Sequence, residues 1–156
     1  MPRYLILFVL LLAGCSSSGS STVSATCPTS AEITAAAGIA YPAPKVSSFM
    51  GTVMCSYSAP ATGANLEIGF SPASGTSAST LKTVADSQAN AQKRTAAPVS
   101  GFGAAAYTYT LADASINSSG VATTVLMILD GSRVINITAE ATVAQVQAIA
   151  RYVLAH

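Results

Sequence analysis

The side chains that could do covalent or acid–base chemistry are few, and their positions sort them quickly. The 156 residues include three cysteines (Cys15, Cys27 and Cys55) and one histidine, His156, the last residue. A general base must be held within hydrogen-bond reach of the proton it takes, and a terminal side chain is rarely held so. A Ser–His–Asp triad would have to rely on His156, and no Gly-x-Ser-x-Gly elbow occurs. Gly101-Phe102-Gly103-Ala104-Ala105-Ala106 matches a dinucleotide fingerprint in its letters. That chemistry needs a strand before the turn, a helix after it, and an acid about 20 residues on. Here the segment follows Pro98, leads into Tyr/Thr alternation and lacks the acid, so it reads as a turn that needs small residues. Two cysteines and a terminal histidine do not make a zinc set, and the scattered acids do not make a calcium loop. The expectation is no metal, no cofactor and no enzymatic activity. A paired-carboxylate hydrolase is the weakest alternative, because acids distant in sequence can meet in a fold.

Cys15 has a different context. Arg3 precedes the apolar run Leu5-Ile6-Leu7-Phe8-Val9-Leu10-Leu11-Leu12, and small residues follow it. That is the layout of a secretory signal, and the run is far short of the ~20 apolar residues of a bilayer span. Leu12-Ala13-Gly14-Cys15 resembles the lipobox of bacterial lipoproteins. The resemblance implies cleavage between Gly14 and Cys15, a diacylglycerol thioether on Cys15, and usually acylation of the new amino terminus. Each buried methylene contributes roughly 0.8 kcal/mol, so two or three chains hold where one would not. The expected location is the extracytoplasmic face of the cell membrane, with the bilayer as first partner. The alternative is an ordinary signal peptide with a chance cysteine.

With Cys15 lipidated, Cys27 and Cys55 form an even pair in an oxidising compartment, and a disulfide is the natural reading. Two free buried thiols are the alternative. Beyond residue 14 the basic and acidic side chains balance at six each. No basic stripe exists, so nucleic acid has no electrostatic footprint. The organisation expected is a signal peptide over 1–14, a lipidated Ser/Thr-rich tether over 15–26, and one domain over 27–156.

The elements of that domain follow from caps and periodicity. Thr29-Ser30-Ala31-Glu32 fits a capping box that opens a short helix ending near Gly38. Alternation predicts strands over 52–58 and 64–71, joined as a hairpin. Residues 77–94 have helical spacing with a weak stripe of Leu81, Val84, Ala85 and Gln88. Ala105, Tyr107 and Tyr109 alternate as a third strand, and 121–129 is the strongest strand, apolar on both faces near Leu126-Met127-Ile128. Asp130-Gly131 signals a tight hairpin into a fifth strand over 133–138. Thr142 and Gln145 form a second capping box before a helix with Val146, Ile149, Ala150 and Val153 on one stripe. The fold expected is α+β, order α-β-β-α-β-β-β-α, with an antiparallel sheet of about five strands and helices on one face.

Three segments together are similar to one known group. Cys27-Pro28-Thr29-Ser30-Ala31-Glu32-Ile33 places a cysteine before a short helix. Cys55-Ser56-Tyr57 sets a second cysteine near an aromatic residue, and Gly101-Phe102-Gly103-Ala104-Ala105-Ala106-Tyr107 leads into a strand. This pattern resembles the actinobacterial envelope lipoproteins grouped as domain of unknown function 3558. Members often carry an acid after the second glycine and tryptophan after the second cysteine, where this chain has Ala104 and Tyr57. The resemblance implies an envelope lipoprotein with a disulfide, and no reaction.

Two function classes result. The first is a non-enzymatic interaction module that meets an envelope protein or other envelope component. The second is a carrier for a small apolar or glycan ligand, with Tyr57, Tyr107 and Tyr109 as candidates to line its groove. The alternation of those tyrosines equally suits core and sheet-face positions.

Overall fold

The computed structural model describes residues 25–59, 64–111 and 121–156. The lipobox residues Gly14 and Cys15, most of the tether, and the segments 60–63 and 112–120 lie outside the described residues.

Both expected capping boxes form. Helix α1 (Ser30–Ala37) opens on Thr29, whose backbone N–H donates to Glu32 Oε2 at 2.6 Å. Helix α3 (Val143–Ala155) opens on Thr142, whose N–H donates to Gln145 Oε1 at 3.0 Å. Helix α2 (Ala78–Ala91) is capped by the Ser77 hydroxyl, which accepts from the Thr80 N–H at 3.1 Å. Each cap satisfies donors that the first helical turn leaves without a partner.

The strands are β1 (Lys45–Phe49), β2 (Thr52–Ala59), β3 (Ala64–Pro72), β4 (Ala97–Pro98), β5 (Ala105–Thr110), β6 (Thr123–Asp130) and β7 (Arg133–Glu140). They make one sheet in the order β1-β2-β3-β7-β6-β5-β4, and every pairing is antiparallel. The last strand is laid in the centre, between β3 and β6. The fold is α+β as expected, but two details are corrected. The sheet has seven strands, not five, because β1 and β4 pair at its borders. The helices also lie on both faces rather than one. Helices α1 and α3 pack together over one face, and α2 lies over β5 and β6 on the other.

Alternation along the strands explains why both faces need cover. Even positions 66, 68, 70, 126 and 128, with 135 and 137 on β7, meet Ile33, Val146, Ile149 and Val153 under α1 and α3. The odd positions Tyr109, Val125, Met127 and Leu129 meet Leu81, Ala85 and Ala89 of α2. A strand buried on both sides reads as a continuous apolar run, and β6 is that strand.

One end of the sheet concentrates several turns. Phe49 pairs with Thr52 across the β1–β2 turn, and the Thr52 hydroxyl lies 3.1 Å from that of Ser71. Pro72 pairs with Arg133, and Ala73 N–H donates to the Ser132 carbonyl at 2.7 Å in the β6–β7 turn. Helix α3 starts beyond the far end of β7 and runs back to this same end. No helix among the described residues is long and apolar enough to cross a membrane.

Candidate functional site

The apolar stripe of α2 is narrow. Leu81, Ala85 and Ala89 are buried, while Val84 is 38 % exposed. Small residues let the helix press onto β5 and β6, but it does not extend over β2, β3 and the end of β7. On that uncovered half the alternation places Ser56 and Ser58 of β2, Asn65 and Glu67 of β3, Thr123 of β6, and Thr138 and Glu140 of β7. Register sets them in rows: Ser56 beside Glu67 and Glu67 beside Thr138, with Ser58 beside Asn65 one row further out. Together they line an open trough of about 250 Å³.

Part of the trough is held in place by its own hydrogen bonds. Ser58 Oγ donates to Asn65 Oδ1 at 2.7 Å. Asn65 in turn donates to the Glu140 carboxylate from its backbone N–H at 3.2 Å and its Nδ2 at 3.3 Å. Glu67 stands exposed between two hydroxyl-bearing strands. The chemistry offered is acceptor-rich, with two carboxylates, an amide and four hydroxyls. Such a surface suits hydroxyl, amide or cationic groups. Among the described residues no three of His, Cys, Asp and Glu gather as a metal set.

A second cavity, of about 330 Å³, lies on the α1/α3 side at the turn-rich end of the sheet. Ala25, Cys27, Glu32, Phe70, Arg133, Tyr152 and His156 contribute to its wall. Arg133 Nε donates to Asp130 Oδ2 at 2.9 Å. The Tyr152 ring stacks on His156 at 4.3 Å. The Tyr152 hydroxyl beside it, with the N–H and hydroxyl of Thr29 that donate to its Oε2, holds the Glu32 carboxyl below its ordinary value of 4.5.

That shift has a definite sign. A carboxyl whose folded value is depressed adds stability above its unfolded value, and loses it as pH falls through the folded one. Glu32→Gln keeps the capping geometry but cannot titrate. The variant is expected to show a shallower loss of thermal stability below pH 4.5 than the parent. An unchanged acid limb in a pH series of melting curves would show that Glu32 carries none of it.

The structure separates the three candidate groove tyrosines. Tyr57 is 1 % exposed on the α1/α3 face, and its hydroxyl donates to the Pro28 carbonyl. Burial raises its pKa, with the Glu32 charge adding to the effect, so the hydroxyl stays a donor. Tyr107 and Tyr109 lie on the opposite face, where Tyr109 donates to Gln88 Oε1 at 2.9 Å. The sheet itself stands between Tyr57 and the other two, so the three share no groove. Cys27 and Cys55 are joined as a disulfide with Cα atoms 5.7 Å apart. The trough residues were missed in sequence because polar letters on alternating strands also describe any wet sheet face. The position of α2 distinguishes the two, and that is set by tertiary packing.

No family model, curated protein or solved structure matches this chain.

Proposed function

We propose that this chain is a membrane-anchored cell-envelope lipoprotein whose domain is a non-enzymatic interaction module, with the trough on β2, β3 and β7 as its recognition surface. The observation that carries the reading is the half-covered sheet. A helix closes the apolar half of one face, and the other half presents an organised set of acceptors and hydroxyls to solvent. The Asn65–Glu140 link supports a recognition role, because a surface locked before contact spends less entropy on binding. Anchoring through Cys15 and the extracytoplasmic location belong to the same proposal and rest on the lipobox residues Leu12-Ala13-Gly14-Cys15. The hydroxyl content gives a second reading specific support: a glycan ligand, whose hydroxyls pair with Ser, Thr and carboxylate oxygens.

The test uses the full lipidated chain in its native envelope, with a photo-crosslinking residue at Thr138 and a control at Thr83 on α2. One recurring partner captured from Thr138 and not from Thr83 is the expected result. Glu67→Gln is expected to weaken that association about tenfold to a hundredfold, the cost of one hydrogen bond to a charged group. Competition by soluble envelope polysaccharide would select the glycan reading. Equal capture from both positions, insensitive to Glu67→Gln, would overturn the trough as the recognition surface.

A further inference from the structure

The β1–β2 hairpin ends in a turn whose residue choice runs against its geometry. Phe49 pairs with Thr52, so Met50 and Gly51 alone make the turn. Both have positive φ, 48° and 80°, as the type I′ hairpin turn requires. Asn-Gly or Gly-Gly suits that turn; a long unbranched apolar side chain at its first position does not. Met50 is nevertheless there and 85 % exposed, beside Phe49 at 77 %. Backbone strain that presents an apolar side chain to solvent points to a function for it.

The position of the tip supplies the second observation. The described chain begins at Ala25, which lines the cavity with Phe70 and Arg133 at the turn-rich end of the sheet. Phe70 pairs with Val53, two residues from Gly51, so the chain enters at the end that carries the tip. Ten residues from Cys15 to Ala25 span at most about 36 Å when fully extended. The far end of the sheet holds Ser58, Asn65 and Glu140, and thus the trough.

We infer that Phe49 and Met50 seat in the bilayer that takes the Cys15 lipid, forming a second contact that stands the domain upright with its trough turned outward. This rests on the lipoprotein reading above. Two apolar side chains alone bind a membrane weakly, but an anchor on the same chain turns the second contact into an intramolecular event at high effective concentration. The hairpin tip itself carries no cation, and its insertion is expected to be insensitive to salt.

The sequence contains no tryptophan, so one introduced residue gives a clean report. Full-length lipidated protein carrying Phe49→Trp is reconstituted into phosphatidylethanolamine–phosphatidylglycerol vesicles, with and without bromine on the acyl chains. Val143→Trp, at the opposite end of the domain on the first turn of α3, serves as control. Flotation of the protein with the vesicles reports the anchor separately. The expected result is a blue-shifted emission for Phe49→Trp and quenching by brominated lipid about threefold or more above that of Val143→Trp. Equal quenching in protein that floats overturns the second contact while leaving the anchor in place. Protein that fails to float, with Cys15→Ala making no difference, overturns the anchor and the inference with it. A blue shift that appears without vesicles and grows with protein concentration would assign the tip to a second copy of the chain instead.

Discussion

Gly103→Ala is expected to destabilise the domain by about 3–5 kcal/mol, combining left-handed strain with a steric clash in a packed site. Gly103 has φ +52°, and a Cβ there would stand 2.3 Å from the Leu129 carbonyl oxygen and 3.1 Å from an Ile128 methyl. The same oxygen accepts from the Ala104 N–H at 2.7 Å, so the clash cannot be relieved without losing the bond that ties this turn to β6. Phe102, 3 % exposed and lying under the Arg151 guanidinium at 5.3 Å, would be pulled with it. Gly101→Ala supplies the contrast. Its φ is +83°, yet nothing lies within 4 Å of its would-be Cβ, so only the conformational strain of roughly 1–2 kcal/mol applies. Chemical denaturation of the two variants measures the difference. Equal losses would mean that the approach to Leu129 is not the constraint.

Replacing the disulfide by Cys27→Ala with Cys55→Ala is expected to cost about 3–4 kcal/mol, from the chain entropy restored to the unfolded state. The bridge spans 28 positions and closes the segment that holds α1, the whole of β1 and the start of β2. It also ties the chain to β2 next to Pro28, whose carbonyl accepts from Tyr57 of the same strand. Alanine is the informative substitute because Cys55 is fully buried, and a hydroxyl there would add an unsatisfied polar group. For a domain of this size the melting temperature is expected to fall by roughly 10–15 °C, with reduction of the parent reproducing most of the drop. A fall of only a few degrees by calorimetry would show that packing alone holds the segment between Cys27 and Cys55.

Much of the fold could be read before the structure because its signals are local. The capping boxes at Thr29–Glu32 and Thr142–Gln145, the hairpin of β2 and β3, and the Asp130-Gly131 turn into β7 are each written within a few residues. The two border strands were not legible. Lys45-Val46-Ser47-Ser48-Phe49 is exposed at all five positions, so burial imposes no alternation on it. Ala97-Pro98 is a strand only by pairing with Thr108 and Tyr107, against the propensity of proline. The placement of α2 on the second face had a signal that could have been used. An apolar run on both sides of β6 requires cover on both sides, whereas helices on a single face would have left Val125, Met127 and Leu129 in water. The trough was beyond reach, since it is defined by where α2 stops. Tyr57 and Tyr109 could not be assigned to opposite faces until β7 was known to lie between β3 and β6.

The two borders of the sheet are unequal. At one, β4 offers two residues, and the second is a proline without an N–H to donate. At the other, β1 offers five exposed residues. A sheet that accepts a new strand on one side alone cannot grow into a fibril by edge-to-edge stacking. Two molecules that met through β1 would each present only the blunt side outward, and association by this route would stop at a pair.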